Sequence, residues 1–259
     1  ISNSEASNVK GKRDSSNILK VTSKIMNSYE LRKELIENII DVCQKYELDG
    51  INIDFEYMYE KDVDLFSRFI IELEPRMKKI GAVLSVDVTA PDGSPNWSLC
   101  FDRTVIGHAA DYIVFMAYDQ YASGKVGTTA GCNWVENNVI KFIEQCEVEP
   151  EKIILAVPFY TKLWKEKADG DIESKSVIMK NIEKELPDDV TKTWDDKLKQ
   201  YYVEYKSGSD TMKMWIEDLE SIKAKVSLVN KYNLAGVSAW EKDQELDEVW
   251  EVIKEILEN

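Results

Sequence analysis

Five apolar runs recur along this chain, at residues 51–55, 82–89, 112–119, 152–160 and 235–240, and helix-patterned stretches lie between them. That alternation narrows the architectures open to it. Runs that are apolar throughout belong to strands covered on both faces, and strands separated by helices pair in parallel. Between the runs, residues 27–46 place Leu31, Leu35, Ile36, Ile39, Ile40 and Cys43 at helical spacing, with Asn27 and Glu30 set as a cap pair. Residues 62–79 put Val63, Phe66, Phe69, Ile70, Leu73 and Met77 on one face, and Pro75 is expected to bend the last turn or end it. Further helices are expected at 98–107, 134–146 and 219–232, with a closing helix carrying Leu246, Val249, Trp250, Ile253 and Leu257. The pattern breaks between about 165 and 218. There a helix at 176–185 and two strands, 201–205 and 212–216, joined by Ser207-Gly208-Ser209, predict an α+β insertion.

With 259 residues the chain can bury a large core. An α/β fold follows, either a closed (β/α)8 TIM barrel or a doubly wound open sheet. Both gather functional groups at the carboxyl ends of parallel strands. Glu56, Tyr118, Asp119, Tyr160 and Trp240 all sit at or just past such ends. No glycine-rich GxGxxG or phosphate loop follows any strand, which removes the nucleotide-binding form of the open sheet. The expected division is residues 1–165 as barrel, 166–218 as insertion and 219–259 as the final helix-strand-helix. Ile1-Ser2-Asn3-Ser4 reads as the tail of a strand, with no signal peptide before it, so the sequence is expected to begin partway through a larger protein.

Charge excludes several partners. Forty-eight acidic against 33 basic residues give a net charge of −15, which repels nucleic acid and anionic lipid surfaces. No apolar run is long enough to span a bilayer. Cys43, Cys100, Cys132 and Cys146 lack metal-site spacing, and one histidine, His108, cannot build a multi-histidine centre. Cys43 reads as packing and His108 as a capping or surface residue near a helix end. Seven Trp and twelve Tyr suit stacking on sugar rings, and equally suit a core.

The first run carries the chemistry. In Asp49-Gly50-Ile51-Asn52-Ile53-Asp54-Phe55-Glu56 polar and apolar residues alternate, so Asn52, Asp54 and Glu56 share one side of a strand. Neighbouring carboxylates repel one another and resist burial, so the arrangement serves either acid-base chemistry or a solvated face on an edge strand.

The run resembles the DGxDxDxE strand of family 18 glycoside hydrolases, the chitinase-like group. Met116-Ala117-Tyr118-Asp119 is similar to that family's MxYD, Val157-Pro158-Phe159-Tyr160 to its VPFYG, and Trp240 ends the last strand in the matching place. The wording I-N-I-D-F-E, with the segment 214–218, Ser221 and Lys225, resembles bacterial spore cortex and germination peptidoglycan hydrolases of the YaaH type. The resemblance implies a TIM barrel whose first strands lie outside this sequence, no cofactor, and an aminosugar polysaccharide substrate. It further implies an extracellular, cell-wall or spore-associated setting. Glu56 is then the general acid and base, Asp54 the residue that orients the N-acetyl group, and Tyr118 the donor to its carbonyl. Asp119 and Tyr160 contact the sugar, Trp240 is the floor beneath it, and Asn52 and Met116 complete the binding set. Apart from the resemblance, Asp87, which strand alternation turns inward, and Trp97, in a strand-end loop, are further binding candidates. Asn52 replaces the middle aspartate of the pattern. Lys162 stands where many relatives have arginine, whose two-pronged contact a lysine cannot reproduce. A chitinase or endo-β-N-acetylglucosaminidase is the neighbouring expectation. A chitinase-like lectin is the non-catalytic one, although such relatives usually lose the acid that Glu56 retains.

Overall fold

In the computed structural model, residues 1–4, 8–9, 12–13, 15–121 and 124–258 are described. They form two compact units, Ile1–Phe115 with Lys141–Ile153, and Met116–Ile140 with Ile154–Asn259.

The first unit opens with a short antiparallel pair, β1 (Asn8–Val9) and β2 (Lys12–Arg13). Then follow α1 (Ser15–Met26), α2 (Tyr29–Lys45), β3 (Gly50–Ile53), α3 (Val63–Lys79), β4 (Val83–Val88), α4 (Arg103–Ala109) and β5 (Tyr112–Met116). The strands β3, β4 and β5 pair in parallel, as strands separated by helices do. Gly50 is needed where β3 meets β4, because a Cβ there would come within 2.6 Å of the Val83 carbonyl oxygen. Ile53, Leu84, Val86, Val88, Ile113 and Phe115 are buried in the strands, while Phe66, Phe69, Ile70, Leu73 and Met77 are the buried face of α3.

The expected cap pair is corrected. Ser28 has extended backbone and its side chain accepts from the Leu31 amide, so α2 starts at Tyr29. Asn27 instead donates to Asp62 Oδ1 at 3.0 Å. Arg32 is buried and joins α2 to α3 through a two-pronged contact with Glu72, both distances 3.0 Å. Pro75 does not end α3, which runs on to Lys79. The carbonyl it deprives of a helical donor belongs to Ile71, whose side chain is half-exposed, on the side that water can reach.

Chain order in the second unit is the later part of β5's polypeptide, α5 (Cys132–Glu144), β6 (Ile153–Pro158), β7 (Tyr160–Glu166), β8 (Ile172–Ile178), the one-turn α6 (Ile182–Glu185), β9 (Thr193–Asp195), β10 (Gln200–Ser207), β11 (Asp210–Trp215), α7 (Leu219–Tyr232), β12 (Gly236–Trp240) and α8 (Val249–Leu257). Helix α5 and strand β6 each cross from one unit to the other. β12 pairs with β6 in parallel. The other strands form an antiparallel sheet in the order β8-β7-β11-β10-β9, over a cluster of Leu163, Val177, Ile182, Leu186, Val203, Met214 and Ile216. The helix expected at 176–185 is corrected at its start: residues 176–178 end β8, which pairs with β7 along its whole length, and helical backbone begins only at Met179, as a 3-10 turn running into α6. An open antiparallel edge gives that segment main-chain partners that a surface helix would not use. Asp218 and Ser221 cap α7 reciprocally, which fixes its start at Leu219 as its periodicity predicts. Among the described residues no helix is long and apolar enough to cross a membrane.

Candidate active site

The acidic run begins as β3 and continues past it. Asp54 forms an isolated parallel bridge with Ser2, and its amide donates to the Ile1 carbonyl at 2.8 Å. Ile53 and Phe55 are buried while Asn52 is exposed and Asp54 and Glu56 are partly buried, so the alternation holds to the end of the motif. Phe55 stacks on Phe66 and Phe69 of α3, anchoring the run from its apolar side.

Two side chains meet the Asp54 carboxyl. Its carboxyl hydrogen-bonds Ser2 and Glu56, and two carboxyls can share a hydrogen bond only if one of them holds a proton. Burial pushes Asp54 above the ordinary carboxylate range, and its Oδ1 is buried without a hydrogen-bond partner. On β4, Asp87 accepts from Asn52 Nδ2 at 2.7 Å, while Ser85 Oγ donates to Asn52 Oδ1 at 2.8 Å. Burial, with the Asp54 charge adding to it, pushes Asp87 up to about 7 against the hydrogen bond from Asn52.

Glu56 is held by its backbone. Asn3 Nδ2 donates to the Glu56 carbonyl at 2.8 Å, and the Glu56 amide donates to Asn3 Oδ1 at 3.0 Å. Nothing in the sequence points to Asn3, which lies 53 positions away. Trp97, in the loop after β4, packs against Tyr57 at 4.9 Å between ring centroids. That loop is held by Arg103, another residue sequence reasoning missed. The buried guanidinium donates to the carbonyls of Thr89, Ala90, Ser98 and Phe101, and lies over the rings of Phe101 and Phe142. Burial lowers its proton affinity.

A second group lies in the second unit. Met116, the last residue of β5, is buried. Asp119 follows in left-handed backbone, with φ of 54°. Tyr160, expected to end a strand, opens β7 instead. Its hydroxyl hydrogen-bonds Asp119, and burial, with Asp119 reinforcing it, drives Tyr160 far above the usual phenol range. Lys162 Nζ contacts Asp119 Oδ1 at 2.7 Å and donates to the Tyr121 carbonyl at 3.0 Å. This lysine therefore acts within the site as the counter-ion of Asp119. Tyr118 and Tyr160 meet edge-on at 6.3 Å. Trp240, at the end of β12 and half-exposed, shares with Asp119, Tyr160, Lys162, Ser176 and Gln244 a cleft of about 380 Å³. An exposed indole beside a hydroxyl, a carboxylate and an ammonium suits a sugar, which offers an apolar ring face and a rim of hydroxyls.

His108 is exposed near the end of α4 with Nδ1 at 2.7 Å from the Thr104 carbonyl, and Cys43 is buried in α2, as expected for both. Among the described residues no group of three or more His, Cys, Asp or Glu is arranged to hold a metal ion.

Comparison with known proteins gives this geometry a lineage. The chain is 27% identical over 249 residues to YvbX of Bacillus subtilis, named as an uncharacterized glycosylase, covering 90% of this chain and 69% of that protein. It is 22% identical to the cortical fragment-lytic enzyme of the same organism, covering 87% of this chain and 54% of the relative, so it spans about half of that protein's length. Among solved structures, a chitinase from Chromobacterium violaceum superposes with a TM-score of 0.84 at 25% identity, over 97% of this chain and 78% of that one. The α/β fold with parallel strands is thus the fold of chitinase-like structures. The family model described as Glycosyl hydrolases family 18 matches residues 9–245, and the chain belongs to that family.

Proposed function

We propose that the chain cleaves β-linked N-acetylglucosamine polymers by a retaining mechanism in which the substrate's own acetamido group is the nucleophile, and that its polymer is the peptidoglycan of the spore cortex. The observation that carries the reading is the Asp54 and Glu56 pair, two partly buried carboxyls sharing a hydrogen bond at the end of β3. An ordinary retaining glycosidase places two carboxyls on opposite sides of the scissile bond, whereas two that share one proton suit the substrate-assisted exception.

Glu56 protonates the glycosidic oxygen as the acetamido oxygen attacks the anomeric carbon, closing a cationic oxazolinium ring. The leaving sugar departs with that proton. Glu56 then takes a proton from water as the water's oxygen opens the ring, which restores the starting acid. Asp54 orients the acetamido N–H, and its negative form stabilises the cation. Tyr118 donates to the acetamido carbonyl, Asp119 and Tyr160 bind hydroxyls, and Trp240 stacks under the ring, with Met116 and Trp97 as apolar walls. Asn52, whose amide is engaged with Asp87 and Ser85, supports the acidic set from below. The likeness to cortical fragment-lytic enzyme favours a cell-wall or spore setting. Chitin is the second reading, favoured by the superposition on a chitinase.

Glu56→Gln should lower kcat on aminosugar oligomers by about 10²–10⁴-fold while leaving the fold intact, since the variant keeps its size and its main-chain clamp to Asn3. Normal turnover by this variant would sink the assignment. Product release from cortex muropeptides compared with chitin oligomers decides between the two polymers.

A further inference from the structure

We propose that Asp87, on β4 and outside the acidic run, is a positioning residue of the proton chemistry: through Asn52 it fixes the amide beneath Asp54, and as a second carboxyl beside Asp54 it sets the pH range in which Asp54 carries charge. The proposal rests on the catalytic reading of Asp54 and Glu56 above.

The geometry leaves Asn52 a single orientation. Ser85 Oγ donates to Asn52 Oδ1, so the NH₂ end of the amide must face Asp87, and Nδ2 reaches Asp87 Oδ2 at 2.7 Å. An amide neither gains nor loses a proton in this pH range. Asn52 therefore transmits orientation but no charge, and the proton balance passes to the next carboxyl, Asp87. Asp54 has one buried oxygen with no partner and lies close enough for its charge to act on Asp87.

The groups that face Asp87 can be named element by element. From β3 come Asn52, which favours its ionised form, and Asp54, which disfavours it. On its other side β5 presents Val114, apolar and buried, at the paired position. Burial outweighs the favourable contact with Asn52 and holds Asp87 near 7. Asp87 and Asp54, both raised by burial, are thus coupled, and each is harder to ionise while the other is negative. Asp54 passes this on to Glu56, with which it shares a hydrogen bond.

The sign of the test follows. Asp87→Asn removes a neighbouring negative charge, so Asp54 and Glu56 ionise more readily. Asp87 carries its charge only from about neutrality upward, so the alkaline limb of the pH profile of kcat/KM on a fluorogenic diacetylchitobioside should move to lower pH, by about 0.5–1 unit, with the acid limb unmoved and KM changed less than about twofold. A residue with a purely structural role would change the height of the profile and leave its limbs in place, and that result overturns the proposal. A second measurement needs neither the variant nor turnover. Carboxyl carbon NMR of the wild-type chain should show Asp87 titrating near neutrality, and Asp54→Asn should lower that midpoint. An Asp87 midpoint in the ordinary aspartate range, or one that Asp54→Asn does not move, overturns the coupling. A wild-type chain that shows the coupled titration yet cleaves no aminosugar polymer would keep the carboxyl coupling and overturn the catalytic reading beneath it.

Discussion

Replacing Lys225 by Met tests the buried ion pair of the second unit. Lys225 Nζ lies 2.7 Å from Glu217 Oε2, and both side chains are wholly buried. Ser221 Oγ donates to the same oxygen at 2.8 Å, and Gln200 Nε2 donates to Oε1 at 2.7 Å. Gln200 in turn accepts from Thr128. Met fills the volume of the lysine stem, so the variant removes charge and one donor while making little cavity. Breaking a buried pair from one side costs about 3–5 kcal/mol, because the remaining carboxylate keeps its burial without its counter-ion. At roughly 2–4 °C per kcal/mol for a chain of this size, Tm should fall by roughly 6–20 °C. Lys192→Met removes an exposed pair with Glu183 and should change stability by less than about 0.5 kcal/mol, which supplies the control. Burial already pushes Glu217 upward in spite of Lys225, and without the lysine it rises further. The folded variant then holds a proton that the unfolded chain releases above its ordinary glutamate range, so the variant gains stability as pH falls. Thermal melts of the wild type, Lys225→Met and Glu217→Gln/Lys225→Met from about pH 7 to pH 5 measure this. The double variant, with no buried charge left, should recover most of the loss. A Lys225→Met protein that melts with the wild type, or whose deficit is the same at both ends of that range, would refute the reasoning.

Trp240→Ala should weaken binding of chitin oligomers by about tenfold, or about 1.4 kcal/mol, with little change in Tm because the indole is half-exposed. Titration calorimetry against a denaturation curve separates the two effects. Ser28→Ala should cost about 1 kcal/mol through loss of the cap on α2, read as a lower urea midpoint at unchanged slope.

The strand-helix order was legible because apolar periodicity and length both pointed one way for β4, β5, β6, α3 and α7. The acidic face of β3 was legible for the same reason, since a period of two leaves Asn52, Asp54 and Glu56 no other side to share. Helix α1 was not foreseen. Its buried residues Ile18, Thr22 and Met26 form a narrow stripe within a polar segment, too thin to stand out. Residues 176–178, the end of β8, misled because the strand's largely exposed residues carry no alternation, and only the edge of β7 makes it a strand. Contacts between distant residues were out of reach altogether. The Asn3 clamp on Glu56 uses an ordinary polar residue that no local pattern marks, and the Lys162 hold on Asp119 joins two residues that motifs mark singly but do not pair. Asp87 could be placed on the inner face by alternation, but its tie to Asn52 depends on the register between β3 and β4.

Arg103 has a consequence for how such a chain can change over generations. It grips the loop after β4 mostly by main-chain carbonyls, with the hydroxyls of Thr89 and Ser98 and the ring of Phe101 as its side-chain contacts there. A grip on carbonyls is indifferent to which side chains the loop carries, so Trp97 and its neighbours can be exchanged while the path of the loop stays where it is. The loop is a socket with replaceable fittings, and new side chains can be tried there one substitution at a time without refolding the strand that leads into it.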